Sequence, residues 1–255
     1  MQVEFERLEL KYLVDEGTAE GIRRAVGPYC VPDAHNGRQG HGYWISSLYF
    51  DSPRLAFFHA KERSDHDRVK LRARIYDPAG DVHLEIKRKK GDVVTKKRVI
   101  VAKDAWVDAV RGFGEPLVQQ PSQERILSSF CQIAAQYGVE PRVVVEYERE
   151  AYISCTGEYA RVSFDRRVAA FATRDHSFDG DRWALRAVPM TDDPASSAGV
   201  LVELKCETLM PPWILDIVRS FQLRRVGHSK YNRAIRLELA RERASDPWLQ
   251  EMANG

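Results

Sequence analysis

Charged residues recur two positions apart inside segments that otherwise read as β-strands. Glu9 and Lys11 stand in this relation, as do Arg72 and Arg74, Glu85 and Lys87, Lys96 and Arg98, and Glu203 and Lys205. Arg161, Ser163 and Asp165 extend the series, and Tyr147 with Arg149 is a mixed case. Side chains two apart on a strand share a face. Each strand therefore carries one charged face and one apolar face. The apolar faces are Leu8-Leu10-Tyr12, Leu71-Ala73-Ile75, Leu84-Ile86 and Val162-Phe164, with Leu201, Leu204 or Val202 joining them according to register. In a chain that is 30% charged, one such pair could simply face solvent. The same device across six strands, with few Thr, Ser, Gln or Asn between the charges, points instead to a functional surface.

Turn and cap signals order the elements around these strands. The patterns predict strands over 4–14, 44–50, 69–76, 82–89, 93–101, 142–153, 159–170 and 200–206. Asp77-Pro78-Ala79-Gly80 and Lys90-Gly91-Asp92 supply turns between three consecutive strands, so antiparallel neighbours are expected there. Helices are predicted over 19–26 with Thr18 as N-cap, over 54–61 as a turn or two, and over 105–111. Others are expected over 122–137 between Ser122 and Gly138 caps, 212–223 and 231–241. Residues 27–41 should form a loop, and 174–199, rich in Asp, Pro, Ser and Gly, is a candidate lid.

No repeat or linker interrupts this series, so a single domain over 4–240 with a tail at 241–255 is expected. The fold class is α+β. If the sheet closes, its apolar side must be covered by helices and its charged side becomes a lumen. The expected form is a closed antiparallel eight-stranded β-barrel, with helices packed outside and at the C-terminus.

The formal net charge is only +2, so an anionic ligand has to be argued from where charges lie. Residues 61–103 hold fourteen Lys or Arg against seven Asp or Glu, an excess concentrated on the central hairpins. Cations crowded on one partly desolvated face repel one another and call for a densely charged anion. A nucleic-acid groove would add exposed aromatics for stacking, although Lys87-Arg88-Lys89-Lys90 keeps that reading open. Glu9, Glu85 and Glu203, each two residues from a lysine, oppose a phosphodiester unless a divalent cation stands between them. Mg²⁺ and Mn²⁺ bind through one or two carboxylates plus substrate phosphates, so a metal-complexed triphosphate fits better.

Other chemistries lack their signatures. There is no phosphate-cradling GxxxxGK[ST], no GxGxxG after a strand, no GxSxG and no HExxH. Cys30, Cys131, Cys155 and Cys206 fit no metal spacing and read as reduced thiols. The seven histidines form no ligand pattern, no His/Asp pair stands out as a general base, and His228 reads as structural. No apolar run is long enough for a transmembrane helix, and acids occupy the place of a signal peptide's apolar stretch. The expected location is cytoplasmic.

The ordered motifs resemble a known family. Arg7-x-Glu9-x-Lys11-Tyr12 is followed by Ser47-Leu48-Tyr49-Phe50-Asp51 and Lys70-Leu71-Arg72-x-Arg74-x-Tyr76. Leu84-Glu85-x-Lys87, Lys96-x-Arg98, Val145-x-Tyr147-x-Arg149, Arg161-x-Ser163-x-Asp165, Leu201-x-Glu203-x-Lys205 and Ser229-Lys230-Tyr231 complete the series. This succession resembles the VTC domain, the polyphosphate-polymerase branch of the triphosphate tunnel metalloenzymes. Arg7 stands where the broader superfamily opens with glutamate, which favours the VTC branch.

The resemblance implies a polymerase that passes the ATP γ-phosphate to inorganic polyphosphate inside a basic tunnel. A metal-dependent triphosphatase of the same fold and a non-catalytic polyphosphate-binding module are the alternatives. It implies that Lys11, Arg72, Arg74, Lys87, Arg149 and Arg161 act on the transferred phosphate. Lys96, Arg98, Tyr147, Ser163, Lys205, Ser229 and Lys230 would bind the substrate's phosphates. Lys96 and Arg98 depend on register, because a one-residue slip would put Lys97 inward instead. Glu203, supported by Glu85 and Glu9, would hold Mn²⁺ or Mg²⁺. The expected partners are ATP and inorganic polyphosphate or triphosphate, with no nucleic acid and no membrane segment.

Overall fold

The computed structural model describes residues 7–36, 42–91, 93–112, 120–179, 185–193, 195–207 and 209–245. Ten strands and six helices alternate along them. These are β1 (Arg7–Val14), α1 (Glu16–Val26), β2 (Cys30–Pro32), β3 (Tyr43–Asp51), α2 (Ala56–Glu62), β4 (Asp67–Ile75), β5 (Val82–Lys90) and β6 (Val93–Val101). They continue with α3 (Trp106–Arg111), α4 (Pro121–Tyr137), β7 (Glu140–Ser154), β8 (Ala160–Ala172), β9 (Arg186–Ala187), β10 (Val200–Glu207), α5 (Pro212–Ser220) and α6 (Lys230–Ser245). The fold is α+β, built on one antiparallel ten-stranded sheet ordered β1-β10-β8-β7-β3-β4-β5-β6, with β2 on β7 and β9 on β8.

The expected closed barrel is not formed by hydrogen bonds among the described residues, since the order has two ends, β1 and β6. At β1 the reason is local. The Lys11 carbonyl accepts a hydrogen bond from the Val226 amide at 2.8 Å, and Tyr12 bridges to Arg225. The chain just before α6 thus occupies part of the edge that closure would use. Alternation of charge decides which face of a strand is polar, but edge pairing is made by backbone groups common to every residue.

The chain divides into two compact units. One comprises residues 1–45, 147–168 and 189–228, the other 46–146, 169–188 and 229–255. In the first, β1 pairs with β10 so that Lys11 lies opposite Glu203, and β10 pairs with β8 so that Glu203 lies opposite Ser163. Leu10, Tyr12, Val162, Phe164, Val202 and Leu204 then share the other face, packed on Ile22 and Val26 of α1 and Trp213 and Ile214 of α5. The open choice between Leu201 and Val202 is settled by this register in favour of Val202. Gly21 on α1 makes the packing possible, because a Cβ there would lie 2.6 Å from Phe221. The N-cap of α1 is Asp15 rather than Thr18. Asp15 accepts from the Thr18 amide at 2.8 Å, so Thr18 serves as the third-position partner of a stronger cap.

In the second unit β4, β5 and β6 form the predicted consecutive hairpins. Leu71, Ala73, Leu84, Ile86, Val99 and Val101 pack on Phe57, Trp106 and Phe130, contributed by α2, α3 and α4. Helix α4 starts one residue before the predicted Ser122 cap, with Pro121 in its first turn and no side-chain cap at Gln120. Proline needs no amide partner at that position, so a capping hydroxyl is dispensable. Gly138 ends α4 with φ 57°, as expected. The short strands β2 and β9 were not predicted, because two or three residues show no periodicity.

Among the described residues, no helix is long and apolar enough to cross a membrane. Part of the candidate lid, residues 180–184 and 194, lies outside the described residues, as do 4–6 at the start of the first predicted strand and 246–255 of the predicted tail.

Candidate functional site

Each unit gathers charged side chains on the sheet face opposite its apolar core, and each gathering has its own chemistry. In the second unit the registers place Arg72 opposite Glu85, Glu85 opposite Arg98, and Lys87 opposite both Lys70 and Lys96. Directly opposed residues point the same way, so Lys70, Arg72, Arg74, Lys87, Lys96 and Arg98 share one face with the carboxylate of Glu85. Lys96 and Arg98 take the expected register, and Lys97 lies opposite Ile86 on the other face.

Glu85, only 1% exposed, is the hub of this face. Its Oε2 accepts from Arg72 Nε at 2.5 Å, and its Oε1 takes Arg98 Nε and Lys96 Nζ, both at 2.8 Å. Burial pushes its carboxyl up, but Arg72, Arg74 and Lys96 outweigh that and hold it far below the ordinary carboxylate range. Six cations share this face with that carboxylate. Lys96 shows the strain: burial, then repulsion from Arg72, push its ammonium down to about 7, with Glu85 opposing. Guanidiniums keep their protons, so the lysine is the group that can release one. Its side chain is 43% exposed, which tempers the desolvation and leaves it reachable.

Aromatic and hydroxyl groups frame the cations. Arg72 donates to Tyr49 Oη at 3.0 Å, and Arg74 donates to Ser47 Oγ at 3.1 Å. Tyr49 is pushed up by burial and pulled further down by Arg72 and Arg74, so its hydroxyl is more acidic than usual. Lys70 Nζ donates to Ser229 Oγ at 2.6 Å and to Asn232 Oδ1 at 3.1 Å, which fixes the start of α6. Lys230 is the first residue of that helix, and its charge reaches Tyr49.

In the first unit Lys11 lies between two carboxylates, with Nζ 3.0 Å from Glu9 and 3.3 Å from Glu203. It also donates to the His228 carbonyl at 3.3 Å. Burial would lower its ammonium, but Glu203 and Glu9 raise it above the ordinary lysine range. Glu203 also faces Lys205 at 3.3 Å and Arg149 at 3.6 Å. Arg149 is fully committed: its Nε and Nη2 donate to Asp165 at 2.6 and 2.7 Å, over the ring of buried Tyr147. Ser163 is buried beside Glu203 on the next strand.

A divalent metal would have to draw on this donor set. Among the described residues, no group of three or more His, Cys, Asp or Glu converges as a ready-made cage. Mg²⁺ and Mn²⁺ do not need one, since substrate phosphates and water complete their shells. Glu9 and Glu203 fit: they already converge on one cation, the Lys11 ammonium, which stands in for it. Glu85 fits less well, because Arg72, Arg98 and Lys96 hold its oxygens at 2.5, 2.8 and 2.8 Å, whereas the cations around Glu203 stand at 3.3, 3.3 and 3.6 Å.

Several residues of the two faces escaped the sequence reading. Asp33 accepts from Arg161 Nη2 at 2.8 Å, and Arg161 also donates to Tyr43 Oη at 3.3 Å. Asp33 further pairs with His35 Nδ1 at 2.8 Å, so a His/Asp pair does exist. It is made by two residues of one tight turn, where Asp-x-His carries no distinctive pattern. Asp165 stood in a quoted motif, but nothing in its spacing identified Arg149 as its partner. Lys70 and Tyr49 stood in the motifs without an assigned role, and Asn232 was missed.

A family model described as VTC domain matches residues 6–239. No curated protein matches the chain. Among solved structures, a protein from Pyrococcus horikoshii OT3 is 13% identical with a TM-score of 0.47, covering 91% of this chain and 99% of its own. An adenylate cyclase candidate from Bacillus halodurans is 15% identical with a TM-score of 0.46, covering 88% and 93%. Another from Vibrio parahaemolyticus is 14% identical with a TM-score of 0.45, covering 91% and 98%.

Proposed function

The chain belongs to the VTC domain family, and on that premise we propose that it transfers the γ-phosphate of ATP to inorganic polyphosphate with a divalent metal. The observation that carries this reading is the crowding of Lys70, Arg72, Arg74, Lys87, Lys96 and Arg98 around the one carboxylate of Glu85 in paired register. Cations gathered in this way suit a polyphosphate, which supplies dense oxygen charge and charge-assisted hydrogen-bond acceptors.

Phosphoryl transfer asks a protein mainly to position and neutralise. Arg72, Arg98, Lys96 and Lys87 bind phosphate oxygens, and Glu85 orders them before substrate arrives. Arg74 and Ser47 brace the next strand, while Ser229 and Lys230 bring a helix N-terminus. Lys11, Arg161 and Lys205 bind phosphate oxygens in the first unit, where Arg149, Tyr147 and Ser163 keep Glu203 in place. When bound, Mn²⁺ or Mg²⁺ neutralises charge on the transferred group, and Glu203 with Glu9 would hold it. A terminal oxygen of the polyphosphate attacks the γ-phosphorus, the bond to the β,γ-bridging oxygen breaks, and its electron pair leaves with ADP. The acceptor oxygen is already anionic, so transfer to polyphosphate needs no general base.

Purified protein incubated with ATP and Mn²⁺ tests this directly. ADP release together with a phosphate ladder on a gel is the expected outcome. ATP consumption without any ladder overturns the polymerase reading.

A further inference from the structure

The charged face on β4, β5 and β6 changes character from one end to the other. Residues two apart along each strand form successive rows across it. Arg72, Glu85 and Arg98 make one row, and Lys70, Lys87 and Lys96 the next. Beyond the lysines the row of Arg68, Lys89 and Val94 still holds two cations. On the other side of Glu85 the row is Arg74, His83 and Ile100, with Tyr76 just after β4 beside it. Ile100 is 43% exposed there, whereas Val99 and Val101 are buried in the core. The half-buried rings of Tyr76 and His83 meet edge to face, with centroids 5.0 Å apart. Tyr76 Oη accepts from Arg98 Nη2 at 3.2 Å, which ties this end to the Glu85 row. His83 Nδ1 is buried without a hydrogen-bond partner, so Nε2 is the ring atom left for a ligand. Burial, then Arg98, push the imidazole below its ordinary value and keep it neutral.

A neutral ring, a phenol and an aliphatic side chain offer little to a chain of phosphates. They suit an aromatic base and its ribose, which bring apolar surface and a few hydrogen-bonding groups. The geometry points to Tyr76, His83 and Ile100 as the seat of the nucleoside, so that ATP lies along β4, β5 and β6 with its γ-phosphate toward Lys70, Lys87 and Lys96. Four residues separate His83 from Lys87, about 13–14 Å along an antiparallel strand, a length that an extended nucleoside triphosphate can cover. The base packs on Ile100 and the aromatic pair, and His83 Nε2 hydrogen-bonds the nucleoside. The acceptor polyphosphate then reaches the γ-phosphate from the side of Arg68 and Lys89. The inference rests on reading this face as a phosphate site, and it adds which end of the substrate lies where.

The test compares calorimetric binding of the β,γ-imido analogue of ATP with that of tripolyphosphate, which has no nucleoside, both with Mn²⁺. Contact between a base and an aromatic side chain contributes about tenfold or more, so His83→Ala should weaken the analogue by about that factor. Tripolyphosphate affinity should change by less than about twofold, far below the tenfold loss of a base contact. Ile100→Ser should shift the ratio of the two affinities in the same direction, by a smaller factor. A variant that fails to fold reveals itself by losing both ligands, and wild type then decides. With isoleucine methyls labelled, and the Ile100 signal identified by its absence from Ile100→Val, nuclear Overhauser contacts from that methyl to the base protons are expected. Absence of those contacts overturns the seat. Analogue affinity unchanged in both variants also overturns it, while tripolyphosphate binding leaves the phosphate-site reading standing. A wild type that binds neither ligand overturns both.

Discussion

The hydroxyl of Tyr231 donates to the buried carboxylate of Asp51, joining the first turn of α6 to the end of β3 across 180 positions of sequence. Asp51 also accepts from the Ser52, Phe57 and Phe58 amides at 2.7, 2.9 and 2.9 Å, so it caps α2 at the same time. Two short motifs that read separately in the sequence are therefore one hydrogen-bonded anchor. It holds Ser229 and Lys230 in place beside Lys70.

Replacing Tyr231 with Phe keeps the ring stacked on Tyr49 but removes the donor. Asp51 retains its amides, so the loss should be about 1–3 kcal/mol, read as a lower urea midpoint at unchanged slope. Burial, then Asp51, raise the Tyr231 hydroxyl above the ordinary tyrosine range. The fold thus holds a proton that the unfolded chain releases near pH 10. Wild-type stability should fall as pH climbs past that point, and Tyr231→Phe should lack this decline.

Arg149→Ala removes the guanidinium that donates twice to the fully buried Asp165 carboxylate. Removing one partner of a buried pair costs about 3–5 kcal/mol, so thermal unfolding should shift sharply before any question of catalysis arises. Replacing Arg149 and Asp165 together with Met and Leu should recover much of the loss. A single variant as stable as wild type would contradict the committed role given to Arg149 here.

Lys96 supplies a pH signature. Its ammonium is lowered to about 7 in the ligand-free fold, below the ordinary value near 10.4. Between these limits the folded chain binds fewer protons than the unfolded chain, so stability should rise with pH through this window. A bound polyphosphate stabilises the charged form. Calorimetry with tripolyphosphate at pH 8, repeated in buffers of different ionisation enthalpy, should therefore show proton uptake, and Lys96→Met should abolish most of it.

Glu203→Gln should weaken Mn²⁺ binding by about tenfold or more, ~1.4 kcal/mol per decade, measured by the loss of the free-ion electron paramagnetic resonance signal in the presence of tripolyphosphate. Glu85→Gln should leave Mn²⁺ binding nearly intact but loosen the ligand-free fold, with tripolyphosphate restoring part of its thermal midpoint. Equal loss of metal in both variants would show that Glu85 is a ligand after all.

Much of this arrangement was legible before the structure. Strand side chains alternate with period two whatever the tertiary context, so Arg72-x-Arg74 and Lys96-x-Arg98 had to present their charges on one face. Leu84-x-Ile86 had likewise to present an apolar face to helices. The hairpin turns, the Gly138 cap and the α+β class followed from equally local chemistry. What the residues by themselves could not convey was partnership. Glu85 is the hub of Arg72, Lys96 and Arg98, Asp165 clamps Arg149, and Asp33 holds Arg161 and His35 together. A charge pattern along one strand is silent about register against the next, and that register decides which opposite charges meet. Edge pairing escaped the sequence for the same reason: the Val226 amide takes the Lys11 carbonyl through backbone groups that every residue carries. The alternating charges determined where this protein is polar, and the cross-strand registers decided which of those charges meet one another.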